Sequence, residues 1–145
     1  MEKKPKFLML RGLPLSGKTE YANQWVREDS RRVRLSWTDI LKTFGPGTDK
    51  DRQALALECA IHIMREALTD DMSVVLDEEN LSVERWNLFF VKARNLHADV
   101  EWYTTPASLH PEQLIEKNHQ LGSPVPDEDF RRKFELFEKW LRKNK

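Results

Sequence analysis

Cysteine is nearly absent: Cys59 stands alone among 145 residues, so the chain closes no internal disulfide. It falls in a helical stretch away from any candidate base or metal ligand and is read as a small apolar filler. Excess charge is absent too. Lys plus Arg and Asp plus Glu both number 24, which removes the global basic field of strong non-specific DNA binders and leaves room only for a local basic groove. Long hydrophobic runs are missing: the charged residues 1–6 lead into only four apolar ones, Phe7 to Leu10, too few for a signal peptide or a membrane span. Internal repeats and low-complexity tracts are missing as well. The expectation is one soluble, cytoplasmic domain over residues 1–145, with a core of its own and no membrane partner.

What is present is concentrated near the start. Gly12-Leu13-Pro14-Leu15-Ser16-Gly17-Lys18-Thr19 matches G-x-x-x-x-G-K-[ST], the phosphate-cradling P-loop. A polyphosphate needs several donors converging on a small volume, and backbone N–H groups supply them if the chain wraps closely. Gly12 and Gly17 permit that path, Lys18 places a compact charge on the terminal phosphates, and the Thr19 hydroxyl suits a magnesium ion bridging them. The flanks agree with the motif. Phe7-Leu8-Met9-Leu10 has the form of a strand buried on both faces, and Tyr21, Ala22, Trp25 and Val26 recur at helical spacing.

Further along, Val33, Leu35 and Trp37 alternate with Arg34 and Ser36, a period-two strand. Ligands of open parallel sheets bind beyond the carboxyl ends of strands, which puts Thr38 and Asp39 near the P-loop. Asp39 is a candidate general base, and Thr38 or Asp39 is equally a cap for a helix starting at Ile40. Gly45-Pro46-Gly47-Thr48-Asp49 breaks the chain. Ala54, Leu57, Ile61, Met64 and Leu68 then stripe a long helix. Ser73 to Leu76 form a third strand ending at Asp77, the acidic strand end that helps hold magnesium in P-loop enzymes. Asp77, Glu78 and Glu79 crowd one turn, fitting either a cation and substrate site or a solvated acidic loop.

Ser82 caps a helix to about His97, with Trp86, Phe90 and Ala93 on one face. Arg85 in its first turn opposes the helix dipole and so needs a partner: Asp77, Glu78 or a substrate phosphate. A fourth strand runs from Val100 to Thr104, and Pro111 opens a further helix. A last amphipathic helix, about 127–143, is striped by Phe130, Phe134, Phe137 and Leu141. From Phe130 on, seven basic residues (Arg131, Arg132, Lys133, Lys139, Arg142, Lys143, Lys145) outnumber two acids. Such a run is either a solvated face or a surface for nucleic acid or a partner.

With its P-loop, Ser36-Trp37-Thr38-Asp39 and the stretch from Val75 to Arg85, the chain resembles the phage polynucleotide 5′-kinase family of P-loop kinases. Asn80, Leu81 and Arg85 match that family's third-strand pattern. The resemblance implies an α/β P-loop kinase fold, three-layer α/β/α, with a short parallel sheet of about four strands and a helical lid at about 107–126. It implies ATP or another nucleoside triphosphate with Mg2+, and transfer of the γ-phosphoryl group to a nucleic-acid or nucleotide hydroxyl. Residue by residue, it implies the donor site at 12–19, magnesium on Thr19 and Asp77, acceptor contacts at Thr38, Asp39, Glu78, Asn80 and Arg85, and catalytic roles for Lys18, Asp39, Arg85 and Lys117. Threonine stands at Thr38 where the family has the first of two aspartates, so Asp39 would substitute as base. Lys117 and Leu121 stand where the lid has arginines, and lysine lacks the bidentate fork. A different acceptor (a modified base hydroxyl in DNA, a nucleoside or a small metabolite) and a nucleotide-binding module with weakened transfer remain the alternatives.

Overall fold

A computed structural model describes residues 4–47 and 49–143. Residues 1–3 of the charged start, Thr48 of the breaker cluster and Lys145 of the basic run lie outside the described residues. The elements are β1 (Lys6–Arg11), α1 (Lys18–Arg27), β2 (Arg32–Leu35), α2 (Trp37–Thr43), α3 (Lys50–Thr69), β3 (Ser73–Leu76), α4 (Val83–Asn95), β4 (Asp99–Thr104), a 3-10 turn (Pro106–Leu109), α5 (Pro111–Gln120) and α6 (Asp127–Lys143). The four strands form one parallel sheet in the order β2-β3-β1-β4. Met9 of β1 pairs with Leu76 of β3, so the turns leaving these two central strands emerge side by side, where parallel sheets bind ligands.

Alternation along β1 builds the layers. Phe7 and Met9 join Val74, Leu76 and Leu35 beneath Met64, Leu68, Phe89 and Ala93 of α3 and α4. Leu8, Leu10 and Val75 pack on the other face against Ala22, Tyr21 and Trp25 of α1. A third cluster carries the P-loop into the C-terminal region: Leu13 packs with Leu114 of α5 and with Phe130 and Phe137 of α6.

Three local expectations shift. Trp37 is the first residue of α2 rather than the end of a strand, because the chain turns directly after Leu35 and Ser36 takes the cap, its side chain accepting from the Asp39 N–H. Neither Thr38 nor Asp39 caps; both lie in the first turn. On α3 the fully buried line is Ala56, Ala60, Met64 and Leu68, while Leu57 and Ile61 flank it and Ala54 is exposed. Small alanines let the helix approach the sheet closely, so they take the central positions. On α4, Phe89 is fully buried beside Ala93, with Trp86 and Phe90 packed at the edge.

Candidate active site

The chain turns from Arg11 directly into the loop at 12–19. Gly12 donates its N–H to the Glu79 carbonyl at 3.2 Å, and Leu13 donates to the Ser108 hydroxyl at 2.8 Å. Leu15 and Gly17 take positive φ, 66° and 93°, which curls the loop. Gly17 caps α1 without any side-chain hydrogen bond. With no side-chain cap to occupy them, the first-turn amides and the positive end of the helix dipole suit an anion. Gly12 is required by contact: a Cβ there would lie 2.2 Å from Thr105 Oγ1 and 2.8 Å from Ser16 Oγ. The Lys18 ammonium donates to the Leu13 carbonyl at 2.9 Å. Burial lowers its pKa, with Glu79 and Asp77 pulling upward.

Across the β1–β3 seam, the Thr19 hydroxyl donates to Asp77 Oδ2 at 2.9 Å, so the two residues expected at a metal stand together. Asp77 is only 5% exposed and is neutralised by Arg34, whose Nε and second guanidinium nitrogen each stand 2.7 Å from the same oxygen. The third guanidinium nitrogen reaches Asp39 at 2.8 Å. Burial opposes the Arg34 charge, but hydrogen bonds to Asp39 and Asp77 outweigh it and raise the pKa. Arg34 thus bridges the metal side of the site to the candidate base, and Lys42 stands 3.8 Å from the other Asp39 oxygen.

Glu78 faces away from this bridge. It accepts from the Ser36 hydroxyl at 2.9 Å, the Thr38 N–H at 3.0 Å and the Thr38 hydroxyl at 2.6 Å, tying the end of β3 to the start of α2. Burial raises its pKa against those hydrogen bonds. Asn80 is buried with φ 52°. Its amide donates to the Leu10 carbonyl, and its own carbonyl accepts from Arg11 Nε at 3.2 Å. The Arg11 guanidinium is 2% exposed and lies 4.0 Å from the ring centres of both Trp102 and Trp140, with Trp86 at 5.7 Å.

Lys18, Thr19, Thr38, Asp39, Asp77, Glu78, Asn80 and Arg85 surround one cleft of about 700 Å³. Of the partners the sequence left open to Arg85, Asp77 is held by Arg34 and Glu78 by Ser36 and Thr38; Arg85 lies over the Trp37 ring at 4.3 Å. Lys117 sits apart, at the outer edge of the P-loop, where its ammonium donates to the Leu15 carbonyl at 3.2 Å. Leu121 is 59% exposed. Four groups were not assigned to the site from the sequence. Arg34 and Lys42 line the cleft, Arg132 and Lys133 bring α6 to its wall, Thr105 and Ser108 support the P-loop from behind, and Arg11 anchors α6 through Trp140. Arg34 carried a signal as the polar member of an alternating strand beside a site, and Arg132 and Lys133 stood in the basic run read as a solvated face or a surface for nucleic acid or a partner.

Among the described residues, no group of three His, Cys, Asp or Glu side chains is placed to hold a metal, and no helix is long and apolar enough to cross a membrane. A family model for the AAA domain matches residues 7–139. No curated protein matches the chain. Among solved structures, a chain in the Pnkp1/Rnl/Hen1 RNA repair complex superposes with a TM-score of 0.80 at 20% identity, over 99% of this chain and 47% of its own. The Mycobacterium tuberculosis APS kinase CysC, solved with AMPPNP and APS, gives 0.55 at 15% identity over 72% of this chain and 64% of its own. The chain spans about half the length of the RNA repair chain. At these identities the likeness is one of fold: a four-strand parallel sheet among helices, the P-loop kinase fold expected from the sequence.

Proposed function

The chain belongs to the AAA domain family, and on that premise we propose that it is an ATP-dependent kinase. It transfers the γ-phosphoryl group to a nucleic-acid or nucleotide hydroxyl, in first place a polynucleotide 5′-hydroxyl. One observation carries the reading: Thr19 and Asp77 meet at 2.9 Å beside the P-loop, and Arg34 links that pair to Asp39 across the cleft. The fold likeness to a chain of an RNA repair complex supports the acceptor class.

In this scheme residues 12–19 bind the donor phosphates through backbone N–H groups, and Lys18 leaves the Leu13 carbonyl for the β- and γ-phosphates. The Thr19 hydroxyl and Asp77 carboxylate are hard oxygen donors that fit magnesium, which is held by one or two protein oxygens together with substrate phosphates. When bound, the ion supplies positive charge to the phosphate oxygens. Asp39 takes the proton of the acceptor hydroxyl as its oxygen bonds to the γ-phosphorus, and the bond to the β–γ bridging oxygen breaks to release the diphosphate. Arg85, its guanidinium set by the Trp37 ring, and Lys117, at the rim of the loop, contact phosphate oxygens. Thr38, Glu78 and Asn80 act by positioning: the first two fix α2, and with it Asp39, on the end of β3, and Asn80 fixes the turn after β3 onto β1.

Asp39 is held by both Arg34 and Lys42, and the alternative readings are another acceptor (a modified base hydroxyl in DNA, a nucleoside or a small metabolite) or nucleotide binding with weakened transfer. Incubation with γ-labelled ATP separates the readings. Label appearing on a 5′-hydroxyl oligonucleotide, and not on its 5′-phosphorylated twin, is the expected result. Transfer only to modified bases, nucleosides or small metabolites overturns the polynucleotide assignment, and nucleotide binding without transfer to any acceptor overturns the kinase assignment.

A further inference from the structure

The apolar stripe of α6 is buried against the P-loop cluster through Phe130 and Phe137, which fixes the rotation of the helix. Arg132, Leu136, Lys139 and Lys143 follow at i, i+4, i+7 and i+11 and so form one ridge. That ridge starts inside the cleft. Arg132, Lys133 and Leu136 belong to the cleft wall facing Asp39 and Arg85. Arg132 and Leu136 also open a second groove of about 310 Å³ that runs on past Lys139 and Arg142. The two cavities share these residues, which places both of them along one side of α6. Leu136 is 37% exposed there.

We propose that this ridge is the track of a single-stranded polynucleotide acceptor, whose 5′ end enters the cleft at Asp39 while its following phosphates lie along Arg132, Lys139 and Lys143. The proposal rests on the kinase reading for its direction and adds the path that the acceptor strand takes. Charge and shape favour it. Arg132 to Lys139 spans roughly 10 Å of helix axis, several nucleotides' reach rather than one. The ridge sets three cations, suited to a phosphate backbone, around one exposed leucine that offers an apolar contact to a base. Two acids border the groove, Glu135 and Glu138, and Glu138 is spent on Arg142 at 3.6 Å. A mononucleoside or small metabolite would occupy only the cleft and ignore the rest.

The test measures binding apart from turnover. Single strands of two and of twelve nucleotides, labelled at the 3′ end and free at the 5′ hydroxyl, are titrated by fluorescence anisotropy across a salt series. The double variant Lys139→Ala/Lys143→Ala changes exposed side chains on a helix held by its opposite face. The dimer is too short to reach them and should bind the variant as it binds the parent. The twelve-mer should lose affinity by about tenfold at 0.15 M salt and about 1.4 from its log–log salt slope, at roughly 0.7 per phosphate contact. Lys139→Arg/Lys143→Arg should restore both. Equal twelve-mer affinity in parent and alanine variant, or a blunt duplex bound more tightly than the single strand, overturns the track. Length-dependent binding without phosphoryl transfer keeps the track and overturns the kinase reading. Transfer to a dinucleotide with no length dependence does the reverse.

Discussion

Gly12→Ala probes the floor of the P-loop, and its effect follows from three hydroxyls. The added methyl would lie 2.2 Å from Thr105 Oγ1, 2.8 Å from Ser16 Oγ and 3.0 Å from Ser108 Oγ. Carbon and oxygen ordinarily stay about 3.3 Å apart or more, so Thr105 must move by roughly 1 Å. Thr105 is 2% exposed. It donates to Ser16 at 2.7 Å and shares a hydrogen with Ser108 at 2.7 Å, while Ser108 receives the Leu13 N–H. Losing about two of these bonds costs about 1 kcal/mol each, and overpacking adds about 1–3 kcal/mol. Gly12→Ala should therefore destabilise by about 3–5 kcal/mol. Thr105→Ala removes the obstructing oxygen and lets the two serines pair, at a cost of about 1–2 kcal/mol. The double variant should be milder than the two single costs together by at least about 1 kcal/mol, since contacting sites couple. Equilibrium urea unfolding of the four proteins measures this. Additivity to within about 0.5 kcal/mol would refute the reasoning, because Gly12 would then serve only backbone freedom or the ligand.

Other perturbations test other walls of the site. Burial raises the Glu78 pKa above the ordinary 4.5, so between that value and the folded one the native state holds more protons, and the parent gains stability as pH falls. Glu78→Gln lacks this gain; thermal melts from pH 7 toward 4.5 should show it losing ground to the parent, and a constant gap refutes the assignment. Arg34→Met leaves Asp77 buried without its cation and should cost about 3 kcal/mol. Added magnesium should raise the melting temperature of this variant more than that of the parent, and an equal rise would mean that Arg34 and the ion do not compete for Asp77. Burial brings the Arg11 pKa down to about 10, a cost to the charged form of about 3 kcal/mol at about 1.4 kcal/mol per tenfold. The two indoles at 4.0 Å and the Asn80 carbonyl return about 1–2 kcal/mol each. Arg11→Met should thus cost no more than about 3 kcal/mol, and Arg11→Ala, which also empties the space between the rings, should cost about 3 kcal/mol beyond that. A loss above about 3 kcal/mol for the methionine variant would show that the guanidinium is held by more than these contacts.

The donor side was legible because its information is contiguous. A loop of eight residues carries its own turn chemistry, and strand alternation and the carboxyl-end rule put Asp77 beside Thr19 without knowledge of the rest of the chain. The start of α2 was misread because Ser36, Thr38 and Asp39 are all good caps, and only the point where β2 stops chooses Ser36. The partner of Asp77 was not legible either: the sequence left Arg85 open to Asp77, Glu78 or a substrate phosphate, whereas β2 and β3 are neighbours in the sheet, and pairing of Arg34 with Val75 brings that arginine to the acid. Least legible was the seating of α6. Its basic face reads as solvated until Phe130, Phe137 and Trp140 are docked on Leu13 and Arg11, contacts more than 110 residues apart.

The box around Arg11 has a consequence for inheritance. Its walls come from α4, β4 and α6 and its occupant from β1, so four widely separated codons specify one structural object. A guanidinium buried without a carboxylate survives only while the rings are there, and rings arranged about a small residue would enclose a void. Positions 11, 86, 102 and 140 should then drift as a set. Descendants that lose the indole at 140 should carry an apolar side chain at 11, and the order in which those changes arose would be constrained, with the arginine leaving first.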